Sequence, residues 1–191
     1  MMKKMVLAAL LGGLVVFLWG ALAHTVLPLG QAGLSTLPNE EKTLEALSQS
    51  VPESGLYFFP GLDMSREHSP EEEEAWQARY RSGPIGLLMF RVHGEDVLPL
   101  KNLLLELLTN ILAAALAAVL VLWLAAPYFQ RVTVVTLLGL FSWISLSLSY
   151  WIWYGFPTAY ILSEGVTELV GWFLGGLVIA RFVTGREVPA S

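Results

Sequence analysis

The chain has 191 residues and not one cysteine. Disulfides, thiolate metal centres and thiol redox chemistry are therefore excluded, and any exported part must fold without covalent staples. Charge is scarce too. Only 14% of the residues are Asp, Glu, Lys or Arg, against 55% hydrophobic, and the mean hydropathy is +0.60. That leaves too little polar surface to clothe a soluble domain. A phosphate-binding glycine loop, a nucleophile elbow, an HExxH pair and an internal repeat are all missing as well. No motif identifies a family.

What the chain does have is long apolar runs. Val6 to Val26, Leu103 to Ala126 and Val132 to Trp153 each reach the roughly 20 residues that span about 30 Å of hydrocarbon, and a shorter fourth run ends at Phe182. The expected fold class is an α-helical integral membrane protein. It is a four-helix transmembrane bundle with a small α+β exported insert between helices 1 and 2. The division reads 1–27, helix 1; 28–101, insert; 102–126, helix 2; 132–154, helix 3; 161–182, helix 4; and 183–191, a cytoplasmic tail.

Lysine and arginine set the orientation. Lys3 and Lys4 precede the first span, Arg131 sits between the second and third, and Arg181 and Arg186 close the fourth. The positive-inside rule then places both termini in the cytoplasm, and the insert is exported across what reads as an inner (cytoplasmic) membrane of bacterial type. The insert holds six basic and twelve acidic residues, a net −6, which excludes nucleic acid as a partner. The N-terminus also has the order of a signal peptide, with Ala21-Leu22-Ala23 preceding His24. Its apolar stretch is longer than a usual signal core, and its glycines and tryptophan suit a helix interface, so the expectation is an uncleaved anchor.

Within the insert, Pro38 to Glu41 starts a helix that runs to about Ser50. Ser69-Pro70-Glu71-Glu72 starts a second, from Pro70 to about Arg81, with Ser69 and Glu72 forming a capping box. Leu56 to Phe59 and Leu87 to Val92 read as short strands that pair. The acidic run Glu71 to Glu74 points in four directions and cannot converge on one cation. His68 and His93 have no metal spacing and read as surface residues. So small an insert folds only marginally alone, and Tyr57, Phe58, Phe59 and Trp76 are either its contact residues or its own core.

The chemistry-bearing groups gather at one end of the spans. His24, Glu106, Asn110, Glu164 and Glu168 form a candidate polar pocket in the outer leaflet, with His24, Glu106 and Glu168 expected at comparable height; whether they share hydrogen bonds as one site is left open. Small residues at helical spacing form the expected packing faces: Gly13 and Gly20 on the first span, Ala113 and Ala117 with Thr109 on the second, Gly139 and Ser142 leading to Ser145 and Ser149 on the third, and Gly171 and Gly175 on the fourth. Trp151, Trp153 and Tyr154 form an interfacial aromatic belt that could wall the pocket. The ring is open to several readings. It is structural glue between helices, a proton or ligand site, or a centre of one histidine and two carboxylates, although the spacing assigns no metal and no cofactor.

Taken together, the expectation is a non-enzymatic inner-membrane protein, an accessory or assembly subunit of a larger complex. Its partners are the lipid bilayer and either another protein or further copies of itself. The alternative is a small transport, proton-coupled or ligand-binding protein that uses the polar pocket.

Overall fold

The structure is a computed structural model, and it describes residues 1–184. Arg186 and the rest of the expected tail beyond 184 lie outside the described residues. The described residues form two compact units, one of Met1–Leu34 together with 97–184, the other of Ser35–Asp96.

The first unit is helical. Helix α1 covers Met2–Thr25 and is followed by a 3-10 turn at Pro28–Gln31. After the second unit come α4 (Leu100–Leu122), α5 (Tyr128–Ser142), a π-helical segment at Trp143–Ser147, α6 (Leu148–Tyr154) and α7 (Thr158–Phe182). Helix α5, the π segment and α6 run on as one stretch, Tyr128–Tyr154. With α1, α4 and α7 this makes four helices long and apolar enough to cross a membrane.

Two boundaries differ from the sequence reading. The second span ends at Leu122 instead of 126, because the backbone leaves the helix ahead of Pro127, whose ring disfavours helical geometry in the residue before it. The fourth is not short. It begins directly after Pro157 and runs for 25 residues, Thr158, Ala159 and Tyr160 adding three at its start to the expected 161–182.

The buried face of this unit is made of small side chains. Ala8, Ala114, Ala117, Ala118, Val121, Val135, Ile179 and Val183 form the core, whereas leucines such as Leu10, Leu18, Leu108, Leu112 and Leu116 point outward, Leu116 being 70% exposed. Water would penalise that arrangement heavily. Lipid tails would not, because they are as apolar as leucine and leave close backbone packing as the main force between helices.

Close approach is concentrated at glycines. A Cβ at Gly13 would lie 2.5 Å from Ile111 Cα on α4, and one at Gly175 would lie 2.8 Å from Val16 Cγ2 on α1. Helix α7 is the hub, packed against α1 on one side and α5 on the other, while α4 packs chiefly on α1. Three tryptophan and tyrosine side chains tie neighbours to it. Trp19 Nε1 donates to the Thr167 carbonyl at 2.9 Å, Trp143 Nε1 to Ile161 at 2.8 Å, and the Tyr128 hydroxyl to Leu177 at 3.0 Å. At the other end of α7, Arg131 donates to the carbonyls of Ala126 (2.9 Å) and Ala180 (3.2 Å), satisfying one of the acceptors that a helix C-terminus leaves open.

Several packing expectations need correction. Gly20 is not a packing position, because a Cβ there would meet nothing within 4 Å. On α4 the fully buried stripe is Ala114, Ala117, Ala118 and Val121, with Ala113 only half-buried. The serine stripe of the third span breaks up. Ser142 approaches Glu168 of α7 at 3.5 Å although it is exposed, Ser145 is exposed within the π segment, and Ser149 beyond it is half-buried.

The second unit contains α2 (Glu40–Ser50), β1 (Gly55–Phe59), α3 (Pro70–Ser82) and β2 (Gly86–Phe90). The strands pair antiparallel, with Leu56 opposite Met89 and Phe58 opposite Leu87. This unit is narrower than the expected 28–101 insert, because the 3-10 turn folds back on α1 and α7 and residues 97–101 belong to the helical unit. Helix α3 begins with the complete capping box of Ser69 and Glu72. Trp76 donates to the Pro60 carbonyl at 2.9 Å, and Tyr80 stacks near both Trp76 and Phe58. Even so, none of the residues between Ser35 and Asp96 is fully buried, a thin core for a unit of this size.

His68 is not a surface residue as expected. Its side chain is only 7% exposed, its Nε2–H donates to the Asp63 carbonyl at 2.5 Å, and its Nδ1 lies 3.6 Å from Glu72. Arg66 grips the same Glu72 with two hydrogen bonds of 2.9 and 3.1 Å. The Arg66 guanidinium, with the Ser69 backbone, holds the Glu72 carboxyl down to about 2.

Candidate functional site

A cavity of about 590 Å³ opens where α1 finishes and α4 and α7 begin. All five candidate pocket residues, His24, Glu106, Asn110, Glu164 and Glu168, line it. Helical spacing does the positioning. Glu106 and Asn110 are one turn apart on α4, as are Glu164 and Glu168 on α7, so each pair presents to one side of its helix. Phe17, Gly20 and His24 bring α1 to the same space.

Polar contacts divide the five into three groups. His24 Nε2 stands 4.0 Å from Glu164 Oε1, and it is this carboxylate, not Glu106 or Glu168, that the histidine meets. The Asn110 amide donates to Glu106 Oε1 at 3.2 Å within α4. Glu168 Oε2 accepts from Trp172 Nε1 at 2.9 Å and lies 3.5 Å from Ser142 Oγ.

Comparable height is not what the helices provide. At 1.5 Å per residue, His24 lies about 1.5 Å from the end of α1, Glu106 and Glu164 about 9 Å from theirs, and Glu168 about 15 Å. Since His24 nonetheless meets Glu164, the start of α7 projects beyond the end of α1 by more than a turn. Glu168 is thus a step deeper, not a member of a level ring.

Two local devices frame the space. The 3-10 turn after α1 lies directly on the histidine, and a Cβ at Gly30 would sit 2.8 Å from His24 Nδ1. Gly33 then adopts φ +77°, a conformation L side chains rarely take, and its α-carbon passes so close to α7 that a Cβ would lie 2.9 Å from the Tyr160 nitrogen. Gly20 has the opposite function to packing. Without a side chain it leaves the cavity open on the α1 side.

The aromatic belt does not wall this cavity. Trp151, Trp153 and Tyr154 are exposed on α6, where Trp151 Nε1 donates to Thr158 Oγ1 at 3.2 Å and Tyr150 stacks on Phe156. The aromatic walls are instead Phe17, Trp19 and Trp172, which the sequence reading did not place there. The available signal was their position, since Trp19 and Trp172 lie well inside apolar spans and not at the interface where tryptophan usually settles. Nor do the acidic groups converge on a point. Among the described residues, no three His, Asp or Glu side chains are placed to hold a metal ion.

Compared with known proteins, the chain matches no family, no curated protein and no solved structure.

Proposed function

We propose that the chain is a non-enzymatic, multi-pass protein of a bacterial-type inner membrane whose helical bundle binds a small ligand in its polar cavity. Both termini face the cytoplasm in this reading, α1 is a retained anchor, and the segment between α1 and α4 is exported. The cavity carries the proposal. It is of the size ligands occupy, about 590 Å³, and it gathers nearly all the ionisable groups that the four apolar helices contain away from their basic ends. Interhelical glue would need no such space, and Gly20 keeps it open.

The test is to fill it. Gly20→Leu replaces a helix-weakening residue with a good helix former and projects four carbons into the cavity. Mild-detergent purification followed by mass spectrometry should find a small molecule retained by the native chain and absent from Gly20→Leu. Equal retention by both would refute the cavity as the site.

A second reading, an accessory or assembly subunit that docks on another protein, is supported by the exported unit. There Leu56 and Met89 face each other across the strand pair while 66% and 75% exposed, apolar surface that a partner or a second copy would cover. A stoichiometric protein co-purifying with the native chain and lost on Leu56→Asp would support it.

A further inference from the structure

We propose that the ligand is an amphiphile with a cationic amine head, whose ammonium is held by Glu164 and Glu168 and whose apolar part lies against Phe17 and Leu103. This rests on the ligand-binding reading above and names the ligand class of that same cavity. The lining contains three carboxylates, one imidazole and neither lysine nor arginine. A purely anionic head, a phosphate or carboxylate with no amine beside it, would therefore meet like charge and no strong cationic partner. A divalent metal would need several oxygens about 2.0–2.6 Å from one point, and the acidic groups are too dispersed for that.

An ammonium on an alkyl chain suits what remains. It is drawn to separated carboxylates without requiring them to converge, and aromatic faces such as those of Trp19 and Trp172 attract it further. Glu164 is the better placed anchor. Its only ionic contact is His24 at 4.0 Å, and among the described residues no hydrogen-bond donor reaches it, so its acceptor capacity is available to a ligand. The apolar lining of Val16, Phe17, Leu98 and Leu103 gives the chain a place to lie. Such an amine could be a free amphiphile or the head of an aminophospholipid.

The experiment uses the full chain in phosphatidylcholine nanodiscs, titrated with dodecylamine, dodecanol or dodecanoate and followed by thermal unfolding, with Gly20→Leu discs as the control for partitioning into lipid. Dodecylamine should bind the native chain at least about tenfold more tightly than either analogue. Glu164→Gln with Glu168→Gln should remove that preference, bringing dodecylamine binding down to that of dodecanol in the same variant. Equal or tighter binding of dodecanoate would overturn the cationic class and leave a ligand cavity standing. No difference between native and Gly20→Leu discs for any of the three would overturn the ligand-binding reading itself. Adding phosphatidylethanolamine to the discs separates the sources: competition with dodecylamine identifies a bilayer lipid, and its absence a free amine.

Discussion

His24 Nε2 lies 4.0 Å from Glu164 Oε1, joining the last turn of α1 to the second turn of α7 across 140 positions of sequence. The pair is partly open, with the two side chains 46% and 26% exposed, so its strength is limited by solvent screening. In a double-mutant cycle, His24→Ala and Glu164→Ala should couple by about 0.5–1 kcal/mol with the imidazole protonated, whereas His24→Ala and Glu106→Ala should be additive within about 0.5 kcal/mol. Equilibrium unfolding in mixed micelles measures both cycles. Coupling of His24 to Glu106 instead would mean that the helices meet in another register.

The deeper carboxylate depends on tryptophan. Trp172→Phe keeps an aromatic ring but removes the 2.9 Å donor to Glu168, leaving its carboxylate only the longer 3.5 Å contact with Ser142 Oγ, at a cost of about 1–3 kcal/mol. Glu168→Gln still offers an oxygen to the indole and should cost less. If the two variants unfold at the same denaturant concentration, the hydrogen bond contributes nothing to the difference.

Glycines at different places should respond in opposite directions. Gly13→Ala drives a methyl group into the backbone of α4 at Ile111 and should destabilise the bundle by about 1–3 kcal/mol. Gly20→Ala meets open space and should instead stabilise it by about 0.5–1 kcal/mol, through the conformational freedom that glycine loses on folding. Thermal unfolding of the two variants side by side decides the matter, and a loss at position 20 would show that the cavity closes in the membrane.

The insert has an acid-sensitive helix start. Glu72 is depressed from its ordinary value of 4.5 to about 2, first by the hydrogen bonds from Arg66 and then by the Ser69 backbone. A depressed carboxyl contributes its stabilisation fully above its unfolded value and loses it as the pH falls through the folded one. The contribution is therefore complete above about pH 4.5 and gone below about pH 2. NMR titration of the Glu72 carboxyl in the full chain should show the low midpoint, and Arg66→Ala should move it back towards 4.5. An unchanged midpoint in that variant would remove Arg66 from the account.

The absence of native cysteine makes topology directly measurable. Single cysteines at Ser48 and Gln130, both exposed, should react with an impermeant thiol reagent from opposite faces, Ser48 from the exported side. Intact mass should retain the N-terminal helix. Labelling of position 130 from the exported side would reverse the orientation.

Much of the architecture was legible because its causes are local. Runs of about 20 apolar residues, the Ser69 to Glu72 cap and the strand pair bounded by glycines all read directly from neighbours in sequence. His68 was misread for the opposite reason. Its burial comes from the loop between β1 and α3 curling so that Asp63 faces it, a geometry with no periodic signal. The fourth span starts three residues before its apolar run, because Thr158 and Tyr160 join the helix without adding to the hydropathy that marks a span.

By itself the sequence determined that this chain carries four apolar helices, that small residues mark their contact faces, and which polar groups would crowd one end, because hydropathy and helical periodicity are properties of adjacent residues. Which of those groups meet was decided only by tertiary structure. Helices α1 and α7 are offset along their axes, so depth counted from each helix end did not pair His24 with Glu164. The same offset, with Gly20 left bare, turned an expected packing face into the wall of a cavity.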